Sequence, residues 1–186
     1  MTHIEVFFGV LVFIFGLIGL VRGFLKELGV TTVMLFVLFF LNLSEQRLGG
    51  GLTKLAGMLG KVAGTTDSNL VQTWFFIIVI VGAAFISYQG ETLAYGGKAP
   101  PGVYGAILGW LTGLLNGYLI AGSIWYYMDK LNYPIKWLGF TKDQLSSLAK
   151  TLVGFLPTAF LGREIVSNVN LLLILTALLL LARVIR

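Results

Sequence analysis

Arg22, Lys26 and Glu27 interrupt an otherwise almost continuous apolar stretch, and they are the residues whose types best suit chemistry in this chain. In a helix, Arg22 and Lys26 stand four residues apart and share a face. Glu27 falls on another face, where it could meet a cation from another segment. Two readings follow. Arg22 and its neighbours form a hairpin that snorkels to the headgroups and sets topology, or they mark an ion pathway or a partner site. The second polar feature is Asn116, with Thr112 one turn before it, inside a long apolar run. An amide in lipid needs hydrogen-bond partners, so Asn116 is expected to face protein or a wet cavity.

The residues of catalysis are missing from any workable pattern. His3 is the single histidine and stands at the terminus, and cysteine is absent. Neither a Ser/His nor a Cys/His pair can be assembled in the spans, and no span holds paired carboxylates. Gly60-Lys61 lacks both the upstream glycine and the following Ser or Thr of a phosphate-binding loop. Haem finds no pair of axial ligands. The expectation is a protein without enzymatic activity, cofactor or metal.

Small residues form a clearer pattern. Gly105, Gly109, Gly113 and Gly117 recur every four residues, close to one helical turn, and leave a bare groove along one face. A neighbouring helix can approach such a groove closely, gaining dispersion and weak Cα–H···O contacts. The neighbour is either another helix of the same chain or a second copy, an arrangement that could ring a pore. Gly16-x-x-Gly19-x-x-x-Gly23 shows the spacing of Gly102, Gly105 and Gly109, which reads as internal duplication or as two spans packed face to face.

The solvent for these elements is lipid. Of 186 residues, 57% are hydrophobic and 11% charged, against about 25% charged in soluble domains. The mean hydropathy is +0.90. Twenty-four glycines fit close helix packing in a bilayer. The net charge of +5 is dispersed through short polar segments, which suits anionic headgroups and not nucleic acid. Crossing a hydrocarbon core takes about 20 apolar residues. The sequence therefore predicts one all-α membrane domain over 1–186, a polytopic bundle with four to five spans at 5–25, 28–43, 71–88, 103–128 and 165–183. Trp74 and Tyr88 read as interface anchors of the third span. Two amphipathic interfacial helices are predicted at 52–64 and 142–156. The second opens on a Thr141-x-x-Gln144 capping box and ends or kinks at Pro157. The N-terminal residues lack a basic region and a cleavage site, so the first segment reads as an uncleaved span. Charges near the span ends favour a cytoplasmic Arg22 hairpin.

The stretch Gly16-Leu-Ile-Gly-Leu-Val-Arg-Gly-Phe-Leu-Lys-Glu-Leu-Gly29 resembles the opening of the colicin V production protein (CvpA) family. The Gly-rich segment Gly102–Gly122 is similar to that family's later helix, and the resemblance covers roughly residues 5–128. It implies a small bacterial inner-membrane protein of about four spans, associated with production or export of a peptide toxin. It implicates Arg22, Gly23, Lys26 and Glu27, then Gly105 and Gly109. The apolar run at 169–182 departs from the family pattern. Three functions are thus expected as alternatives. The first is a CvpA-like protein supporting toxin production, export or envelope homeostasis. The second is a homo-oligomeric channel packed through the glycine groove. The third is an accessory subunit of a larger membrane complex.

Overall fold

Four long apolar helices dominate the structure, a computed structural model that describes residues 3–62, 64–65, 67–90, 95–166 and 169–184. They are α1 (Ile4–Arg22), α2 (Phe24–Val62), α3 (Ser68–Gln89) and α4 (Gly102–Lys130). Each contains a segment long and apolar enough to cross a membrane, that of α2 being Phe24–Gln46. The fold is an all-α helix bundle of a membrane protein.

α1 carries no proline before its end. It stops where Gly23 adopts φ +88 and donates its N–H to the Gly19 carbonyl at 2.9 Å. That left-handed φ suits glycine, and α2 begins at the next residue. The hairpin connection is thus one residue long. Away from that turn α1 leaves α2 and packs chiefly on α4. α3 starts at an N-cap, where Asp67 Oδ1 accepts from the N–H of Asn69 at 3.0 Å and of Leu70 at 3.2 Å.

α2 is longer than the expected span at 28–43, since it continues through the segment expected as a separate amphipathic helix. Its 39 residues would reach about 58 Å if straight, nearly twice a bilayer core of about 30 Å. It is not straight. Tyr88 bonds Glu27, which sets α3 antiparallel to α2 at that level. Phe76 lies twelve residues from Tyr88 along α3, and Ala56 twenty-nine residues from Glu27 along α2. A straight α2 would separate them by about 25 Å along the axis, yet both line one apolar groove with Met58, Val62 and Phe75. The helix therefore bends, and Gly49-Gly50-Gly51 is the stretch with no side chain to resist it. The segment beyond lies back on the start of α3, with Ala56 buried and Met58, Leu59 and Val62 exposed. Of its expected apolar face, the side chains of Leu52 and Leu55 and all of Ala63 lie outside the described residues.

The chain after α4 caps one end of the bundle. The single helix expected over 142–156 is broken into a 3-10 turn at Lys142–Gln144, α5 (Ser147–Val153) and, beyond the break, α6 (Pro157–Leu161). Thr141 makes no side-chain cap. Ser146 does, its hydroxyl accepting from Ala149 N–H at 3.0 Å and donating to Glu5 Oε1 at 2.7 Å. An extended Ser146 cannot continue a helix, so α5 begins after it. Pro157 opens α6 at its first turn, where its missing N–H costs nothing. Leu145, Ala149 and Leu156 face inward onto Ile4, Trp125 and Met128, while Leu148 and Phe155 remain exposed. Tyr133 joins this cluster, its hydroxyl accepting from Trp125 Nε1 at 2.8 Å. Burial holds its phenol pKa well above the ordinary tyrosine value.

The fifth span expected at 165–183 is shorter in the structure. Strands β1 (Glu164–Val166) and β2 (Val169–Asn170) form an antiparallel hairpin, Glu164 opposite Asn170. The helix α7 (Leu171–Val184) follows with 14 residues, about 21 Å. Asn170 starts it by accepting from Leu173 N–H at 2.9 Å. α7 runs antiparallel to α2: the Asn170 amide donates to Asn42 at 3.1 Å. Nine residues further on, the Leu179 carbonyl accepts from Tyr95, whose oxygen lies 2.9 Å from the Thr32 hydroxyl.

Candidate functional site

The hairpin turn decides where the first charges go. Because Gly23 breaks the helix, Arg22 ends α1 while Glu27 lies in the first turn of α2. The two side chains then converge, Arg22 Nη1 standing 3.3 Å from Glu27 Oε1. Glu27 is fully buried, at 0% exposure. Its other oxygen accepts from Tyr88 at 3.0 Å and from Asn116 Nδ2 at 2.7 Å. Asn116 Nδ2 also reaches the Glu27 backbone carbonyl at 3.0 Å. The Thr31 hydroxyl lies 2.7 Å from Asn116 Oδ1 and 3.0 Å from that same carbonyl, so its one proton serves one acceptor at a time. The Asn116 amide is thereby oriented on both sides. The Arg22 guanidinium also sits 4.5 Å from the centroid of the Tyr88 ring, within cation–π range.

Four helices thus meet on one carboxylate. A buried carboxylate unpaired in lipid would be too costly to keep charged, and here a cation and two neutral donors surround it. The cation Glu27 meets comes from its own hairpin and not from a distant segment. Arg22 turns inward over Tyr88 instead of snorkelling outward, and Lys26 stays exposed. Tyr88, which reads from sequence as an interface anchor, is a first partner of the carboxylate. Asn116 faces protein, as its chemistry requires. Thr112 stands apart, its hydroxyl bonding the Leu108 carbonyl one turn back at 2.7 Å. Tyr88 and Thr31 were not legible as members of this cluster, since nothing in their local spacing marks a partner 61 or 85 positions away.

Glu45 lies eighteen residues beyond Glu27, five turns along and on the same face of α2. It pairs with Lys130 at 2.6 Å at the other end of the bundle. Between the two carboxylates, Met34, Leu38 and Leu41 are buried in the apolar core. Among the described residues no three of His, Cys, Asp or Glu converge on a metal-sized site.

The glycine groove is filled by the chain itself. A Cβ on Gly109 would stand 2.6 Å from the Gly19 carbonyl oxygen; one on Gly113 would stand 2.9 Å from Gly19 Cα and collide with the Phe15 carbonyl. One on Gly117 would stand 2.8 Å from Val12 Cα. α1 therefore lies backbone to backbone on α4 over Gly109, Gly113 and Gly117. The matching spacing of Gly16 and Gly19 reflects this face-to-face packing. Gly105 does not join it; a side chain there would strike the Pro100 carbonyl at the helix's own entry.

Compared with models of known families, with curated proteins and with solved structures, the chain matches none.

Proposed function

We propose that this chain is a CvpA-like multi-pass protein of the bacterial inner membrane, with the Arg22 hairpin cytoplasmic. It supports production or export of a colicin V-type toxin, or envelope homeostasis, through helix packing and without chemistry of its own. The observation that carries this reading is the Glu27 cluster. Of the residues on which the resemblance rests, Arg22, Gly23, Lys26 and Glu27, the turn at Gly23 brings Arg22 to Glu27, the one fully buried carboxylate among the described residues, while Lys26 stays exposed. Arg22 and Glu27 tie α1, α2, α3 and α4 together, so the motif acts as a structural centre.

The channel reading has less support. Its motivation is the glycine groove, which α1 occupies, together with Asn116, whose amide is taken up by Glu27 and Thr31; the face of α2 between Glu27 and Glu45 is packed with apolar side chains. The accessory-subunit reading drew on the C-terminal segment, which is docked on α2.

The test is complementation. A bacterial strain deleted for its own CvpA protein, and secreting a colicin V-type toxin poorly for that reason, receives this gene. Membrane-inserted wild-type protein is expected to restore secretion, and Glu27→Ala to fail at equal membrane abundance. Wild-type protein present in the inner membrane without any restoration rejects toxin production or export as its function.

A further inference from the structure

At the α4 C-terminal end, an open polar cavity of about 330 Å³ lies between α2, α4 and α6. Neither the Glu27 cluster nor the glycine packing uses it. Its chemistry is mixed in charge: Lys130 and Arg163 line it with Glu45, beside the amides of Asn42 and Gln46. We propose that this cavity binds the headgroup of a zwitterionic aminophospholipid, a phosphate diester carrying a primary ammonium.

Depth is the first argument. Glu45 and Lys130 close the apolar stretches of α2 and α4, so the cavity sits where headgroups lie. The second argument is that its donors are already held in place. Arg163 Nε donates to the Ala159 carbonyl at 3.2 Å and Nη2 to the Gly154 carbonyl at 3.1 Å, which fixes the guanidinium and leaves Nη1 for a ligand. Asn42 Oδ1 accepts from both Gln46 Nε2 at 3.2 Å and Asn170 Nδ2 at 3.1 Å. Its carbonyl is saturated and its own NH2 remains to donate. Gly162 keeps that NH2 uncovered, because a Cβ there would stand 2.8 Å from Asn42 Nδ2.

These groups select among headgroups. A phosphate fits the guanidinium, the Lys130 ammonium and an amide N–H. A headgroup with only negative charge brings no cation to pair with the Glu45 carboxylate. A choline headgroup has no N–H to donate to it. A primary ammonium does, and Glu45 has a second oxygen beyond the one 2.6 Å from Lys130 Nζ.

The experiment is native mass spectrometry of the full chain in mild detergent. It is titrated with phosphatidylethanolamine, phosphatidylcholine and phosphatidylglycerol of equal chain length, and with soluble glycerophosphoethanolamine. Phosphatidylethanolamine is expected to bind at least about tenfold more tightly than the other lipids, the worth of one charge-assisted hydrogen bond. Arg163→Gln and Gly162→Val should each remove about that factor, and Glu45→Gln should abolish the preference over phosphatidylglycerol. Melting temperatures identify any variant that fails to fold, and Arg163→Gln, at an exposed position, serves where Gly162→Val does not fold. Equal binding of the three lipids, or unchanged binding by folded Arg163→Gln, overturns the proposal. Equal affinity for glycerophosphoethanolamine overturns the lipid as ligand and points to a soluble phosphoamine. None of these readouts depends on toxin secretion.

Discussion

Glu27 has no water to answer it, so its partners set its energy. Removing Glu27 takes the acceptor from the Tyr88 hydroxyl and from an Asn116 N–H, at about 1–3 kcal/mol for each buried donor left unsatisfied, while the part-exposed Arg22 can turn to water. Glu27→Ala should therefore lower the thermal midpoint of the detergent-solubilised protein sharply. Glu27→Gln keeps a carbonyl oxygen for Tyr88 or Asn116 and should fall between Glu27→Ala and wild type. Tryptophan fluorescence on heating reads the order, and an unchanged midpoint for Glu27→Ala would contradict the geometry. Glycine positions offer a signed comparison at the same scale. At Gly113 an added methyl meets the α1 backbone, and overpacking of this kind costs about 1–3 kcal/mol. At Gly82 nothing lies within 4 Å, so Gly82→Ala should be neutral or gain about 0.5–1 kcal/mol from helix propensity. That Asn116 needs partners is legible in its sequence setting, because hydrocarbon offers none. Which partners is not, because the nearest acceptor comes from a residue 89 positions away.

Helices were easier to read than their ends. Although the one-residue turn at Gly23 falls inside the first span expected at 5–25, the apolar runs follow from hydropathy. The bend of α2 does not, since Gly49-Gly50-Gly51 reads equally well as a loop and as a pliable helix. Nor does the break at Ser146, where a side-chain cap outweighs an unbroken helical apolar pattern. Spin labels give the bend a measurement. Phe40 and Met58 are both exposed, and eighteen residues of straight helix would set their backbones about 27 Å apart. Double electron–electron resonance between cysteines placed there, in a chain without native cysteine, should return a clearly shorter distance. A value at or above the straight-helix figure would remove the bend. The docking of α7 rests on few polar contacts, of which Tyr95 supplies two. Tyr95→Phe should speed hydrogen exchange in the second half of α7 while leaving α1–α4 protected.

Lipid supplies no hydrophobic drive between helices, so the whole bundle depends on close approach and on polar contacts. α1 shows this most clearly. Large apolar side chains from Val6 to Val21 point outward along it. It holds to the rest by backbone contact over Gly109, Gly113 and Gly117, by the Arg22 ion pair at one end and by the Glu5–Ser146 bond at the other. The repeat of four glycines announces such a contact but leaves open whose helix supplies it. Only the three-dimensional arrangement distinguishes an internal partner from a second copy. Because α1 fills the groove, Gly109→Leu should behave as a folding mutation and not as an assembly mutation. The leucine would drive against the Gly19 carbonyl, part α1 from α4 and loosen the Arg22–Glu27 pair. Native mass spectrometry of the mutant should then show the same mass per particle as wild type, while its melting temperature falls and protease cuts first near the Gly23 turn. A mutant that dissociates from an oligomer to a monomer with an unchanged melting temperature would mean that the groove serves a second copy, and α1 would have to leave α4 to admit it.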